Sequence, residues 1–270
     1  MNITYYTHPA CLEHDTGPGH PESALRLKAI RAELEKSGVL AQLDQREAPA
    51  VTTEQLLRVH TPQHLHRLQQ LLPQSGSGAV DPDTLLSPAS LRAAERAAGA
   101  VVAAVDRVLE PNSGSDIAFC AVRPPGHHAE PERAMGFCLY NNIAVGAAHA
   151  LHWHNLQRVV IFDFDVHYGN GTEAIFRHDP RVVIANIFQQ DHWPYLPCGS
   201  GRGDASSCLA FSAGSGGKKV RQSVATQWRQ IIERSQPQLI LVSAGFDAHS
   251  QDPLAELQLE DEDYHWLGSL

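Results

Sequence analysis

Val159-Val160-Ile161-Phe162-Asp163-Phe164-Asp165-Val166-His167-Tyr168-Gly169-Asn170-Gly171 is the stretch that decides the fold. Its first four residues form an apolar, largely β-branched run that predicts a buried parallel strand. Two carboxylates and an imidazole then emerge where the strand gives way to a Gly-containing loop. In open α/β sheets that edge is where ligands bind. Asp165 and His167 are two residues apart, so an extended backbone points both to the same side. One oxygen and one nitrogen ligand from a single short segment suit a zinc ion that keeps an open coordination position.

A third ligand is expected from a distant strand. Gln238-Leu239-Ile240-Leu241-Val242-Ser243 is a second apolar run, and it leads into Ala244-Gly245-Phe246-Asp247-Ala248-His249. Asp247 follows its strand as Asp165 follows the first. Asp165, His167 and Asp247 together make an Asp2His set, which with water in the remaining position is hydrolytic rather than closed and structural. Taken singly, each strand-end Asp reads more simply as a helix N-cap or turn former. A third strand, Ile117 to Val122, shifts that balance, because Arg123-Pro124-Pro125-Gly126-His127-His128-Ala129 follows it. Adjacent imidazoles in a proline-restricted loop can divide one task, one taking a proton from an attacking water while the other stays protonated. Asp163 and Asn170, one charged and one neutral, are the candidate partners that would push the two pKa values apart. In isolation, His127 and His128 could equally be surface residues of a proline turn in a chain with 16 His.

Together these segments resemble the zinc-dependent histone deacetylase superfamily, especially class II and bacterial deacetylase-like amidohydrolases. The matching motifs are Gly19-His20-Pro21-Glu22 with Arg26, Arg123 through Ala129, Gly136-Phe137-Cys138-Leu139-Tyr140-Asn141-Asn142, Asp163 through Glu173, and Ser243 through His249 with Asp252-Pro253-Leu254. They span nearly the whole chain in the family's order. The resemblance implies one zinc on Asp165, His167 and Asp247. It implies a general acid/base pair at His127 and His128, backed by Asp163 and Asn170. Gly136 and Phe137 would form one wall of a narrow acyl-lysine tunnel, Leu196 the opposite wall, and Arg26 would lie near the inner end. A structural potassium ion would take carbonyls of Asp163, Asp165 and His167, with Asn186 and Ile187. Two positions depart from the pattern. Tyr168 stands where many relatives carry a second His. The family's oxyanion-stabilising Tyr belongs to a Gly-Gly-Tyr segment downstream, which these 270 residues do not contain. The expectation is therefore one deacetylase-like domain over 1–270, cut short at its C-terminus, with weakened amide hydrolysis. An unpaired sheet edge would favour self-association into a homo-oligomer.

Composition bounds the remaining choices. The hydrophobic fraction of 43% permits a sizeable core. Neither a membrane-spanning run nor a signal-peptide pattern is present, and five Cys without a CxxC fit reducing cytoplasm, with Cys138 beside the expected tunnel and the other thiols as packing or loop residues. A net charge of −9 without a basic run argues against nucleic acid and suits a cationic substrate, although solubility alone explains it as well.

Alternating strands and helices imply an α/β fold with a single open, mostly parallel sheet covered on both faces, arginase/deacetylase-like by the resemblance. Strands are expected at Asn2–Tyr6 and Val182–Ile187 besides the three above. Helices are expected at 21–36, 61–72, 87–110 (with Ser87 as N-cap), 141–154 and 218–234. The segments 73–82 and 189–217 read as loops, the second on an active-site rim. The function these features imply is zinc-dependent removal of an acyl group, acetyl above all, from a lysine side chain or polyamine. A binuclear manganese ureohydrolase is disfavoured because Gly169 stands where a second-metal Asp would be needed. A truncated, non-catalytic acyl-ligand binder is the alternative, supported by the missing Tyr.

Overall fold

Strand–helix alternation builds two parallel sheets in the computed structural model, which describes residues 2–198 and 206–270. The chain divides into two compact units, Met1–Asn155 and Leu156–Leu270.

The first unit runs β1 (Ile3–Thr7), α1 (Ala10–Glu13), α2 (Ala24–Lys36), β2 (Asp44–Glu47), α3 (Thr53–Leu56), α4 (Pro62–Leu71), β3 (Gly78–Ala79), β4 (Leu85–Leu86), α5 (Ser90–Leu109), β5 (Ile117–Cys120) and α6 (Asn142–His152). β1 lies between β2 and β5 and is parallel to both. Successive residues of β1 serve opposite faces, as strand geometry requires. Tyr5 packs with Cys11, Leu27 and Leu40, whereas Tyr6 packs with Ala48, Ala100 and Ala104 of the other layer. The Ala-rich sequence of α5 keeps that layer thin and lets α6 pack along it.

The second unit runs β6 (Val159–Asp163), α7 (Asn170–Phe176), β7 (Val182–Gln189), β8 (Ser206–Phe211), α8 (Gly217–Ser235), β9 (Leu239–Ser243) and α9 (Asp261–Leu267). The order is β8-β7-β6-β9, all parallel. β6 is central and every one of its residues is buried. On one face Val160 and Phe162 meet Val220, Val224 and Trp228 of α8, and the Phe162 and Trp228 rings stack 4.0 Å apart at 18°. Burying two such rings contributes roughly 1.5–3 kcal/mol each.

The open parallel α/β class is as expected, and within each unit the described strands form their own ladder. Strand pairing yields a three-stranded sheet, a four-stranded sheet and the small antiparallel hairpin β3–β4, which occupies part of the expected loop 73–82 and the residues after it. Alternation counts strands but does not determine their partners. β5 is an edge of its ladder, so its residues alternate exposed and half-buried rather than forming a buried run. β2 left no sign in the sequence because Asp-Gln-Arg-Glu carries no apolar alternation; it is a polar edge strand held by its ladder and by Asp44, which takes an ion pair from Arg107 at 3.3 Å. β8 lies inside the expected rim loop 189–217, whose residues 199–205 fall outside the described residues. Its pairing with β7 carries Cys208 back to Cys198, and the two form a disulfide with Cα atoms 6.3 Å apart. This corrects the expectation that the cysteines other than Cys138 are reduced packing or loop residues. α5 starts at Ser90 with Ala89 as its N-cap, rather than at Pro88 with Ser87 as N-cap, because the Ser90 hydroxyl accepts from the Ser87 amide at 2.7 Å and closes a turn there. Among the described residues no helix is long and apolar enough to cross a membrane.

Candidate active site

The ladder register of the second unit sets its candidate ligands. Asp163 stands opposite Asn186 on β7 and Ser243 on β9, so the chain leaves β6 and β9 at one edge. Two residues beyond one strand is Asp165; four beyond the other is Asp247. Both reach the same nitrogen: His167 Nδ1 lies 3.0 Å from Asp165 Oδ1 and 2.9 Å from Asp247 Oδ2. Backbone amides hold the carboxylates in place. His167 N–H donates to Asp165 Oδ1 at 2.9 Å, and Val166 N–H donates to Asp247 Oδ1 at 2.9 Å. The Asp165 amide in turn donates to Asp163 Oδ1 at 3.2 Å.

Two glycines are required by close approach rather than by turn geometry. A Cβ on Gly245 would press into the Asp165 side chain and lie 2.6 Å from its Cα, and one on Gly169 would lie 2.5 Å from Asp163 Oδ2. Any side chain at either position would displace a carboxylate.

The electrostatics follow from burial. Desolvation opposes a charged His167 ring, but the hydrogen bonds and charges of Asp165 and Asp247 outweigh it and push its pKa up to about 10. Burial, reinforced by the Asp165 charge, raises Asp247 above the ordinary carboxylate range. Two acids and one ring thus concentrate negative charge in a place that favours a cation. Their ligand atoms lie within 4.8 Å of one another, and two carboxylate oxygens with one imidazole nitrogen are donors suited to a divalent ion of the zinc type. The rings flanking His167 are His192, at 5.2 Å, and Trp193, at 5.9 Å. Leu196, the expected tunnel wall, is 45% exposed further along that segment. Asn170 is buried at the start of α7, and Tyr168 is buried against Phe188.

The first unit holds the histidine pair. His127 and His128 are both buried, with ring centroids 3.9 Å apart at 43°. The loop that carries them is pinned from both ends. Asn141, which caps α6 through its side-chain oxygen, donates its amide to the Ala129 carbonyl at 3.1 Å, and Asn142 donates to the Pro124 carbonyl at 3.0 Å. At the loop's start, the fully buried Arg123 grips Glu22 with Nε and Nη2, both at 2.6 Å, while Nη1 reaches the carbonyls of Cys11 and His14. A buried bidentate pair whose Nη1 also finds two carbonyls is the arrangement in which desolvation is offset. Phe137 has a left-handed backbone, φ 67°, that a non-glycine residue holds only when its surroundings over-determine it. Its amide donates to Thr84 Oγ1 at 3.1 Å, and its ring meets His20 edge-on at 4.8 Å. Arg26 is half exposed on α2, 4.0 Å from Glu22.

A histone deacetylase domain model matches residues 20–270. The chain belongs to that family. It is 34% identical over 284 residues to a histone deacetylase-like amidohydrolase of Pseudomonas aeruginosa, covering 96% of this chain and 74% of that one. A probable deacetylase of Methanothermobacter thermautotrophicus is 34% identical, with 93% and 76% covered. The solved structure of the HDA15 HD domain superposes with a TM-score of 0.88 at 29% identity, over 99% of this chain and 79% of that one. Membership supports a deacetylase-type hydrolase acting on acylated amines.

Two arrangements were not found from the sequence. The Glu22–Arg123 pair joins two motifs that were recognised separately and left unpaired. A convergence of Asp106, His149 and His154 in the first unit had no spacing signal, since Asp106 sits on α5, His149 on α6 and His154 beyond the end of α6.

Proposed function

We propose that the protein is a zinc-dependent amidohydrolase that removes an acyl group, acetyl first of all, from a lysine side chain or a polyamine. The observation that carries this reading is the meeting of Asp165 Oδ1 and Asp247 Oδ2 at His167 Nδ1, in a chain of the deacetylase family. Asp165, His167 and Asp247 would hold the ion. Zinc bound there supplies a Lewis acid that polarises the acyl carbonyl and acidifies water. His128 takes the proton of the attacking water, and His127 remains protonated. The pair then returns a proton to the departing amine nitrogen. Asp163 and Asn170, one charged and one neutral, set the two rings to different basicities. Gly136 and Phe137 orient the acyl chain, with Leu196 and Arg26 as further substrate-side residues. Potassium on the carbonyls of Asp163, Asp165 and His167 would be structural.

The test is turnover by the zinc-loaded protein on acetyl-lysine peptides and acetylpolyamines, followed by release of free amine. Turnover of one class that vanishes in Asp247→Ala supports the proposal. Binding of acylated amines without release of product, with zinc present, would reject hydrolysis in favour of an acyl-ligand binder.

A further inference from the structure

We infer that the first unit carries a second transition-metal site, formed by Asp106, His149 and His154. Asp106 projects from α5 in its last turn, His149 from α6, and His154 from the segment just after α6. Both imidazoles point Nε2 at one carboxylate oxygen: His149 at 2.7 Å and His154 at 2.8 Å from Asp106 Oδ1. The three ligand atoms lie within 4.8 Å of one another. Two imidazole nitrogens and a carboxylate oxygen are borderline donors, matched to zinc, nickel, cobalt or copper rather than to magnesium or calcium. The packing of α5 on α6 fixes two of the three, so little ordering is left for binding to impose.

Access is a second, independent observation. Asp106 and His154 line a cleft of about 520 Å³, with Arg46, Arg107 and Trp153 on its walls. The Asp106 side chain is 49% exposed, whereas that of His149 is 5% exposed. One ligand therefore faces the solvent from which an ion enters, and the cleft has room for the waters that would complete coordination.

One neighbour opposes the ion. Arg58 Nη1 lies 3.2 Å from His149 Nδ1, and its Nη2 is bonded to Glu54 at 2.9 Å. A guanidinium only donates, so His149 Nδ1 accepts and Nε2 carries the proton that goes to Asp106. An ion at Nε2 takes the place of that proton, Nδ1 then gains a hydrogen, and Arg58 must turn away towards Glu54. The site should therefore bind more weakly than one whose far nitrogen already has an acceptor, and binding should tighten as pH rises.

The experiment is a zinc titration of the chelator-stripped full chain, with cobalt(II) absorption as a second readout. It is run in the Asp247→Ala background so that the Asp165–His167–Asp247 set does not mask the result. One equivalent should bind in Asp247→Ala, and it should disappear when His154→Ala or Asp106→Asn is added. Adding Arg58→Gln, whose carbonyl can accept from Nδ1–H, should tighten binding about tenfold. The metal-free variants are checked by thermal melting, and Asp106→Asn preserves side-chain shape where His154→Ala removes a ring. The proposal is overturned if Asp247→Ala binds no zinc, if its equivalent survives both added substitutions, or if Arg58→Gln leaves the affinity unchanged.

Discussion

The Asp165–His167–Asp247 cluster and the Asp106–His149–His154 cluster use the same chemistry in inverted proportion. One has two carboxylates around one ring; the other has two rings around one carboxylate. They differ most in what stands behind the ligands. In the strand-end cluster, backbone amides of Val166 and His167 fix the carboxylates, and Gly245 lets the two segments close on each other. In the helical cluster the carboxylate is half exposed and a guanidinium holds His149 in the tautomer an ion must undo. Ligand type alone does not make a strong site; the groups behind the ligands decide whether it is ready before the ion arrives.

The largest expected effect separates the two clusters by function. Asp247→Ala should abolish turnover and release the catalytic zinc, whereas Asp106→Ala should leave turnover unchanged; both are read by metal analysis and a deacetylation assay. Equal losses from the two substitutions would erase the distinction. Next in size is the histidine pair. His128→Ala should lower kcat by about 10²–10⁴ with zinc still bound. An unaltered kcat would remove His128 from proton transfer.

A stability measurement sharpens the contrast in scaffolding. Phe162→Ala deletes a stacked ring from the strand that leads to Asp163 and should cost about 3–5 kcal/mol in denaturant unfolding. It should also weaken zinc at the strand-end cluster but not at the helical one. A loss below 1 kcal/mol, about the effect of a surface change, would show that β6 does not depend on that stack.

The smallest effect is acid sensitivity in the first unit. His14 is buried, with Nδ1 2.7 Å from Ser90 Oγ, and desolvation depresses its pKa to about 4 despite the opposing influence of Glu22. Its folded pKa lies below the ordinary value of 6.5, so the unfolded chain takes up the proton first. The neutral ring's contribution is complete above about pH 6.5, falls by about 1.4 kcal/mol per pH unit down to about pH 4, and is flat below that. Unfolding midpoints measured between pH 7 and pH 4 should show this slope, and His14→Gln should flatten it. An identical slope in the variant would move the acid sensitivity elsewhere.

Much of the candidate site was legible because its residues follow apolar strands closely. Strand period and length place Asp165, His167 and Asp247 past strand ends, and parallel topology sends those ends to one edge. The His127–His128 loop was legible for the same reason. β2 was not, because a polar edge strand leaves no mark on hydrophobic periodicity, and β8 was not, because only Leu209 and Phe211 of its six residues carry large apolar side chains, too short a signal to read as a strand. The disulfide was hidden by the same omission: without β8, nothing returns Cys208 to Cys198.

By itself, then, the chain's order of apolar runs and the residues just beyond them determined the α/β class and nominated the candidate ligand set and the adjacent histidines, since each depends on neighbours a few positions apart. Only tertiary structure decided which strands pair, that Glu22 receives Arg123 across 101 positions, and that Asp106 meets two histidines from beyond its own helix. Those contacts are set by how elements pack, and packing joins residues whose separation along the chain carries no periodic signal.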